Sequence, residues 1–174
     1  MSLFNSFDVP LGQGSNTFYE EALSLVYGIL NLPFEEQQQK LFDCKLTSIE
    51  KKTLSEAIYK RIFERIPTCY LTNRSIFGGY TFYVDSRVLI PRSLIAEILY
   101  QDKLDPWLQK LNIDPSSITS GLDMCTGSGS LAVMLSGYFP RAKIVGVDVS
   151  PDALDVANIN ISNYGLQGKI NPLL

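Results

Sequence analysis

At 174 residues, 45% apolar and 19% charged, with a formal net charge of −3, the chain suits one ordinary soluble domain, or a small domain and part of a second. The slight acidity argues against a nucleic-acid binder driven by phosphate contacts, and no apolar run approaches the roughly 20 residues that cross a bilayer. Three cysteines, Cys44, Cys69 and Cys125, are too few and too scattered for a disulfide framework or a zinc set, and the absence of histidine removes Ser-His and Cys-His pairs and the usual general base. Any catalysis must therefore run on orientation, carboxylates or a reactive cofactor, and no metal site is expected.

Met1-Ser2-Leu3-Phe4 lacks the basic flank and apolar core of a secretory signal, so a cytoplasmic setting is expected. Residues 1–15 are rich in Gly, Ser, Asn and Pro and read as a mobile lead-in. A helix is expected from Asn16 or Thr17, with Phe18, Ala22, Leu25, Val26 and Ile29 on one face. Thr47-Ser48-Ile49-Glu50 has the form of a capping box, and Leu54, Ile58 and Ile62 carry a second helix until Ile66-Pro67 ends it. Lys51, Lys52, Lys60, Arg61 and Arg65 lie on that helix and read as a solvated face, with a partner-binding patch as the alternative.

Beyond Pro67 the period changes. Ser75 to Phe77, Gly78-Gly79 and Tyr80 to Val84 predict a β-hairpin, because tight hairpin turns need positive φ. Val88 to Arg92 follows as an extended segment. Ser93 caps a helix through Leu99, and Asp105-Pro106 begins another that carries Trp107. From Ile118 the order is strand (118–124), glycine turn (125–129), helix (130–138), strand (143–149), helix (151–164) and strand (169–173). That alternation predicts an α/β fold with a parallel, doubly wound sheet. The chain thus divides into the lead-in (1–15), a helical domain (16–73), a hairpin with connecting helices (74–117) and a cofactor-binding region (118–174).

Asp123-Met124-Cys125-Thr126-Gly127-Ser128-Gly129 sits where the first strand turns into a helix, and Asp148 closes the second strand. Glycines at such a turn admit a ligand close to the backbone, and an acidic residue about 20 positions on can accept ribose hydroxyls. Together they point to an adenosine-containing cofactor. Taken singly, the glycines could serve the turn alone and Asp148 could be a solvated loop carboxylate. Gly127-Ser128-Gly129-Ser130-Leu131-Ala132 also satisfies the NAD form of the motif. Asp123 separates the two donors: a buried carboxylate needs a partner, a pyrophosphate would repel it, and the ammonium of S-adenosylmethionine would attract it. A carboxylate capping local backbone N–H groups is the alternative. Cys125 reads as a small turn residue, since no histidine is present to activate it.

The segments Phe82 to Ser93, Leu122 to Gly129 and Val147 to Leu154 resemble the HemK/Prm family of protein glutamine methyltransferases. Glu64 to Pro67 and Tyr70 to Asn73 extend the likeness upstream. Cys125-Thr126-Gly127-Ser128-Gly129 and Pro91-Arg92-Ser93 are most similar to the branch that acts on large-subunit ribosomal protein L-three, although Leu94 stands where that branch is expected to have proline. The resemblance implies a class I methyltransferase sheet of the Rossmann-like kind, of which these residues would form the first half. It implies S-adenosylmethionine as methyl donor, a glutamine side-chain amide of ribosomal protein L-three, free or in an assembling large subunit, as acceptor, and substrate recognition by the N-terminal helices. Asp123, Cys125, Thr126, Gly127, Ser128, Gly129 and Asp148 would hold the cofactor, and Pro91 and Arg92 would help shape the pocket, unless that arginine is only a local bridge. The family orients its amide with an Asn-Pro-Pro-Tyr motif. Asn171-Pro172-Leu173-Leu174 falls too early to be that motif, so no catalytic residue is expected in these 174 residues and no activity from them alone. The alternatives are a nicotinamide oxidoreductase on the same half-fold, or a cofactor-binding or interaction module without catalysis.

Overall fold

The computed structural model of the protein describes residues 4, 6–12, 14–33 and 43–174. They fall into two compact units, 1–74 and 75–174.

The first unit contains helices α1 (Phe18–Ile29), α2 (Ser48–Phe63) and α3 (Thr68–Thr72). Thr17 caps α1 by accepting from the Glu20 N–H. The capping box of α2 is complete: Thr47 Oγ1 accepts from Glu50 N, and Glu50 Oε2 accepts from Thr47 N at 2.7 Å. Helix α2 stops three residues short of Ile66, and Arg65 takes a φ of 58° in the turn that follows. Phe4, Val9, Leu25, Ala57 and Ile62 form the core, with Phe18, Ala22, Ile29, Ile58 and Leu71 packed around it.

Where it is described, the lead-in contributes Phe4 and Val9 to that core, and the Phe7 and Asp8 carbonyls accept from Arg65. One expectation is corrected here. Arg61 is not part of a solvated face. It is 3% exposed, and its Nε donates to Glu21 Oε1 at 2.6 Å, while Glu21 is wholly buried on α1. Thr68 Oγ1 and Gly12 N also donate to Glu21, and Arg61 Nη2 donates to the Pro10 carbonyl. Either charge buried alone would cost several kcal/mol; paired and hydrogen-bonded, the two hold each other inside.

The second unit opens with a hairpin, β1 (Ser75–Phe77) and β2 (Tyr80–Phe82), in which Ile76 lies opposite Thr81. Gly78 and Gly79 have φ of 55° and 77°, the positive pair that the two-residue turn demands. Helices α4 (Leu94–Tyr100), capped by Ser93, and α5 (Asp105–Lys110) follow. Helix α4 begins at Leu94 without the expected proline, and that side chain lies in solvent. Strands β3 (Ser120–Met124), β4 (Lys143–Val147) and β5 (Ile170–Leu173) form a parallel sheet in the order β3-β4-β5. They are linked by α6 (Ser130–Tyr138) and α7 (Pro151–Asn163). Pro151 starts α7, and Gly165, with a φ of 66°, follows its end.

The register sorts the sheet into two faces. Gly121, Asp123, Ile144, Gly146 and Ile170 share the face against which α6 and α7 pack. Leu122, Met124, Val145, Val147, Asn171 and Leu173 share the other, where Leu122 and Met124 are 58% and 63% exposed. Parallel sheets are ordinarily covered on both faces; among the described residues this one is covered on one.

Candidate cofactor site

The turn after β3 and the end of β4 meet at the carboxyl edge of the sheet, where ligands bind in open α/β folds. Asp123 faces the helices and is 6% exposed. Its Oδ2 accepts from Thr126 Oγ1 at 2.7 Å. Thr126 fits there because β4 carries Gly146 at the facing position: a Cβ on Gly146 would stand 3.0 Å from Thr126 Oγ1. Burial pushes the Asp123 carboxyl above the usual carboxylate range. The Thr126 hydroxyl and the Ala132 backbone draw it back, and the charge of Asp148 raises it further.

Cys125, Gly127 and Gly129 adopt φ of 61°, 54° and 76°, so alternate residues of the turn are left-handed. At Gly129 a side chain is disfavoured on a second count, since a Cβ would lie 3.3 Å from the Ala157 Cα of α7, a tight contact. At Gly127 a Cβ would meet nothing within 4 Å: the turn is open to a ligand on that side. Cys125 is exposed and pays the left-handed strain without glycine's freedom.

Asp148 has a structural place that its sequence context did not reveal. Its Oδ2 accepts from Gly127 N at 2.8 Å and its Oδ1 from Ser150 N at 3.0 Å, so it ties the turn to the start of α7. Each oxygen keeps a second lone pair for a ligand hydroxyl. Thr126 N donates to the Val147 carbonyl and Gly129 N to the Thr126 carbonyl, both at 2.9 Å. The N–H groups of Thr126, Gly127 and Gly129 are thus spent within the protein, and carboxylates stand on both sides of the turn.

The structure therefore brings Asp123, Cys125, Thr126, Gly127, Ser128, Gly129 and Asp148 together. Pro91 is buried and Arg92 exposed, and among the described residues no hydrogen bond or ion pair joins Arg92 to the turn. In the same stretch Arg87 grips Asp85, whose carboxyl it pulls down to about 2, and the Tyr83 hydroxyl donates to Asp85 as well. Sequence reasoning missed Asn160, which is fully buried on α7 and donates to the Ser128 carbonyl at 2.8 Å. The available signal was a polar residue on the apolar face formed by Ala153, Val156, Ala157 and Ile161.

No family model matches the chain. Individual curated proteins do. The chain is 42% identical over 170 residues to the ribosomal protein uL3 glutamine methyltransferase of Neisseria gonorrhoeae, which covers 98% of this chain and 55% of that protein. Its identity to the proteins of the same name in Bordetella pertussis and Burkholderia pseudomallei is 41% over 170 residues, covering 55% and 53% of them. The chain spans about half the length of these relatives. The resemblance to protein glutamine methyltransferases carried by the motifs is borne out over nearly all of its residues. Among solved structures, the N-terminal domain of human METTL16 aligns with a TM-score of 0.44 at 13% identity, covering 92% of this chain and 55% of that one.

Proposed function

We propose that the protein binds S-adenosylmethionine at the turn between β3 and α6 and serves a methyltransferase that modifies a glutamine side-chain amide of ribosomal protein uL3. The name shared by the relatives supports the reaction and the substrate. The observation that carries the cofactor is the pair of carboxylates about the turn. Asp123 is buried, incompletely compensated and held above its ordinary titration range, partly by Asp148, which is the environment a ligand ammonium relieves. A dinucleotide's pyrophosphate would meet those two charges and find the N–H groups of Gly127 and Gly129 already engaged. That disfavours the nicotinamide oxidoreductase.

In this reading Asp123 takes the ammonium of the methionine moiety, the open side of Gly127 admits it, and the remaining lone pairs of Asp148 take the ribose hydroxyls. The cofactor, when bound, supplies an electrophilic sulfonium methyl group. An amide nitrogen is a poor nucleophile because its lone pair is delocalised into the carbonyl, so the demand on the protein is to orient that nitrogen. The family meets it with an Asn-Pro-Pro-Tyr motif, and no stretch of these 174 residues has that sequence. Transfer of the methyl group by these residues alone is therefore not expected. Val88 to Arg92 are assigned to the pocket wall and the N-terminal helices to the protein substrate.

Calorimetric titration with S-adenosylhomocysteine and with NAD tests the cofactor. Binding of the first and no heat from the second are expected. Micromolar NAD binding with no heat from the first would sink the assignment.

A further inference from the structure

A two-stranded ribbon leaves backbone N–H and C=O groups on its outer edges, free to pair with a neighbouring strand or with side chains. On β2 and just beyond it, those groups are matched by side chains of α7 and its C-cap. The Tyr164 hydroxyl accepts from Thr81 N at 2.9 Å and donates to the Thr81 carbonyl at 2.8 Å. Asn160 Oδ1 accepts from Tyr83 N at 2.7 Å, and its Nδ2 donates to the Tyr83 carbonyl at 2.9 Å. The spacing explains the fit: four residues along a helix advance about 6 Å, and two along a strand about 6.7 Å. The two side chains imitate a neighbouring strand.

Asn160 also does something Tyr164 does not. The second hydrogen of its Nδ2 goes to the carbonyl of Ser128, in the middle of the glycine turn. One acceptor and two donors are thus all used, and the opposite amide orientation would set oxygen against two carbonyls. One helical turn earlier, Ala157 stands where a Cβ on Gly129 would meet its own Cβ at 3.2 Å.

We propose that Asn160 is a positioning residue for the cofactor. It holds the Ser128 peptide in its binding conformation and locks it to the strand that leads into Val88 to Arg92. This inference rests on the reading of the turn as the S-adenosylmethionine site. The helix face alone would make Asn160 a packing residue; the bond to Ser128 makes cofactor affinity depend on it.

The experiment compares Asn160→Ala with Tyr164→Phe, which loses strand bonds but none to the turn. The dissociation constant for S-adenosylhomocysteine, the melting temperature and amide hydrogen exchange at residues 126–129 are measured for each. Both variants should melt lower. Only Asn160→Ala should bind the ligand about tenfold more weakly and exchange faster at the turn. Should the alanine variant not fold, Asn160→Ser, which keeps a small polar group, carries the same comparison. Asn160 variants with unchanged affinity and unchanged exchange would overturn the inference and leave the cofactor reading standing. Failure of the unaltered protein to bind S-adenosylhomocysteine would overturn that reading, and this inference with it.

Discussion

Burial holds the Asp123 carboxyl above its ordinary range, and Thr126 and the Ala132 backbone compensate only in part. For an acid, a raised folded-state pKa means that ionisation costs stability as pH rises through the shifted range, while a cationic ligand requires the ionised form. Affinity for S-adenosylhomocysteine should therefore fall on acidification from a pH above the roughly 3.9 at which an ordinary Asp titrates, with protons released on binding. Asp123→Asn should lose that pH dependence and bind about 10- to 100-fold more weakly, the worth of a charge-assisted hydrogen bond, yet melt no lower at neutral pH. Calorimetry in two buffers of different ionisation heat, with thermal melts alongside, reads all three. At Asp148 the expectation changes because the side chain also holds Gly127 and Ser150. Asp148→Ala should weaken binding by about 1.5–3 kcal/mol and also lower the melting temperature. Unchanged affinity would refute its role toward the ribose. The residue types and positions of both carboxylates were legible in the sequence. Their bonds to Thr126, Gly127 and Ser150 were not, because those depend on how β4 and α7 come up against the turn.

The elements that could be read were those whose ends are set by local chemistry. The capping box at Thr47 and Glu50, the Gly78-Gly79 turn, the serine cap before α4, and Pro151 with Gly165 around α7 each act within a few residues. What escaped was decided at long range. Arg61 and Glu21 lie 40 residues apart, and at helical spacing a lone charge looks solvated whether or not a partner waits across the interface. Helix α3 is only five residues long and has no side-chain cap to announce it. The buried pair yields a prediction for the helical unit. Arg61→Ala or Glu21→Ala alone should destabilise it by about 3–5 kcal/mol, since each leaves the other charge buried without its partner. Replacing both by apolar residues, Arg61→Met with Glu21→Leu, should recover most of that loss. Chemical denaturation of the four forms checks it, and additive losses in the double variant would show the pair to be uncoupled.

At the scale of the whole molecule, the sheet order decides what the last residues do. Strand β5 pairs with β4, on the side away from β3, and neighbouring strands are about 4.8 Å apart. Asn171 therefore lies roughly two strand spacings, about 10 Å, from the strand that carries Asp123. It is also level with Val145 rather than with the strand ends, and it points to the face opposite Asp123. A motif that presents an amide to a methyl donor belongs at the carboxyl edge, near the turn, and Asn171-Pro172 meets neither condition. The pair is a piece of ordinary parallel strand. Asn171→Ala should change S-adenosylhomocysteine affinity by less than about twofold, within the ±0.5 kcal/mol usual for a surface site. With labelled methyl donor and ribosomal protein uL3, the 174-residue chain should give no transfer above background, with or without that substitution. Turnover that Asn171→Ala abolishes would put the acceptor site on β5 and overturn the assignment.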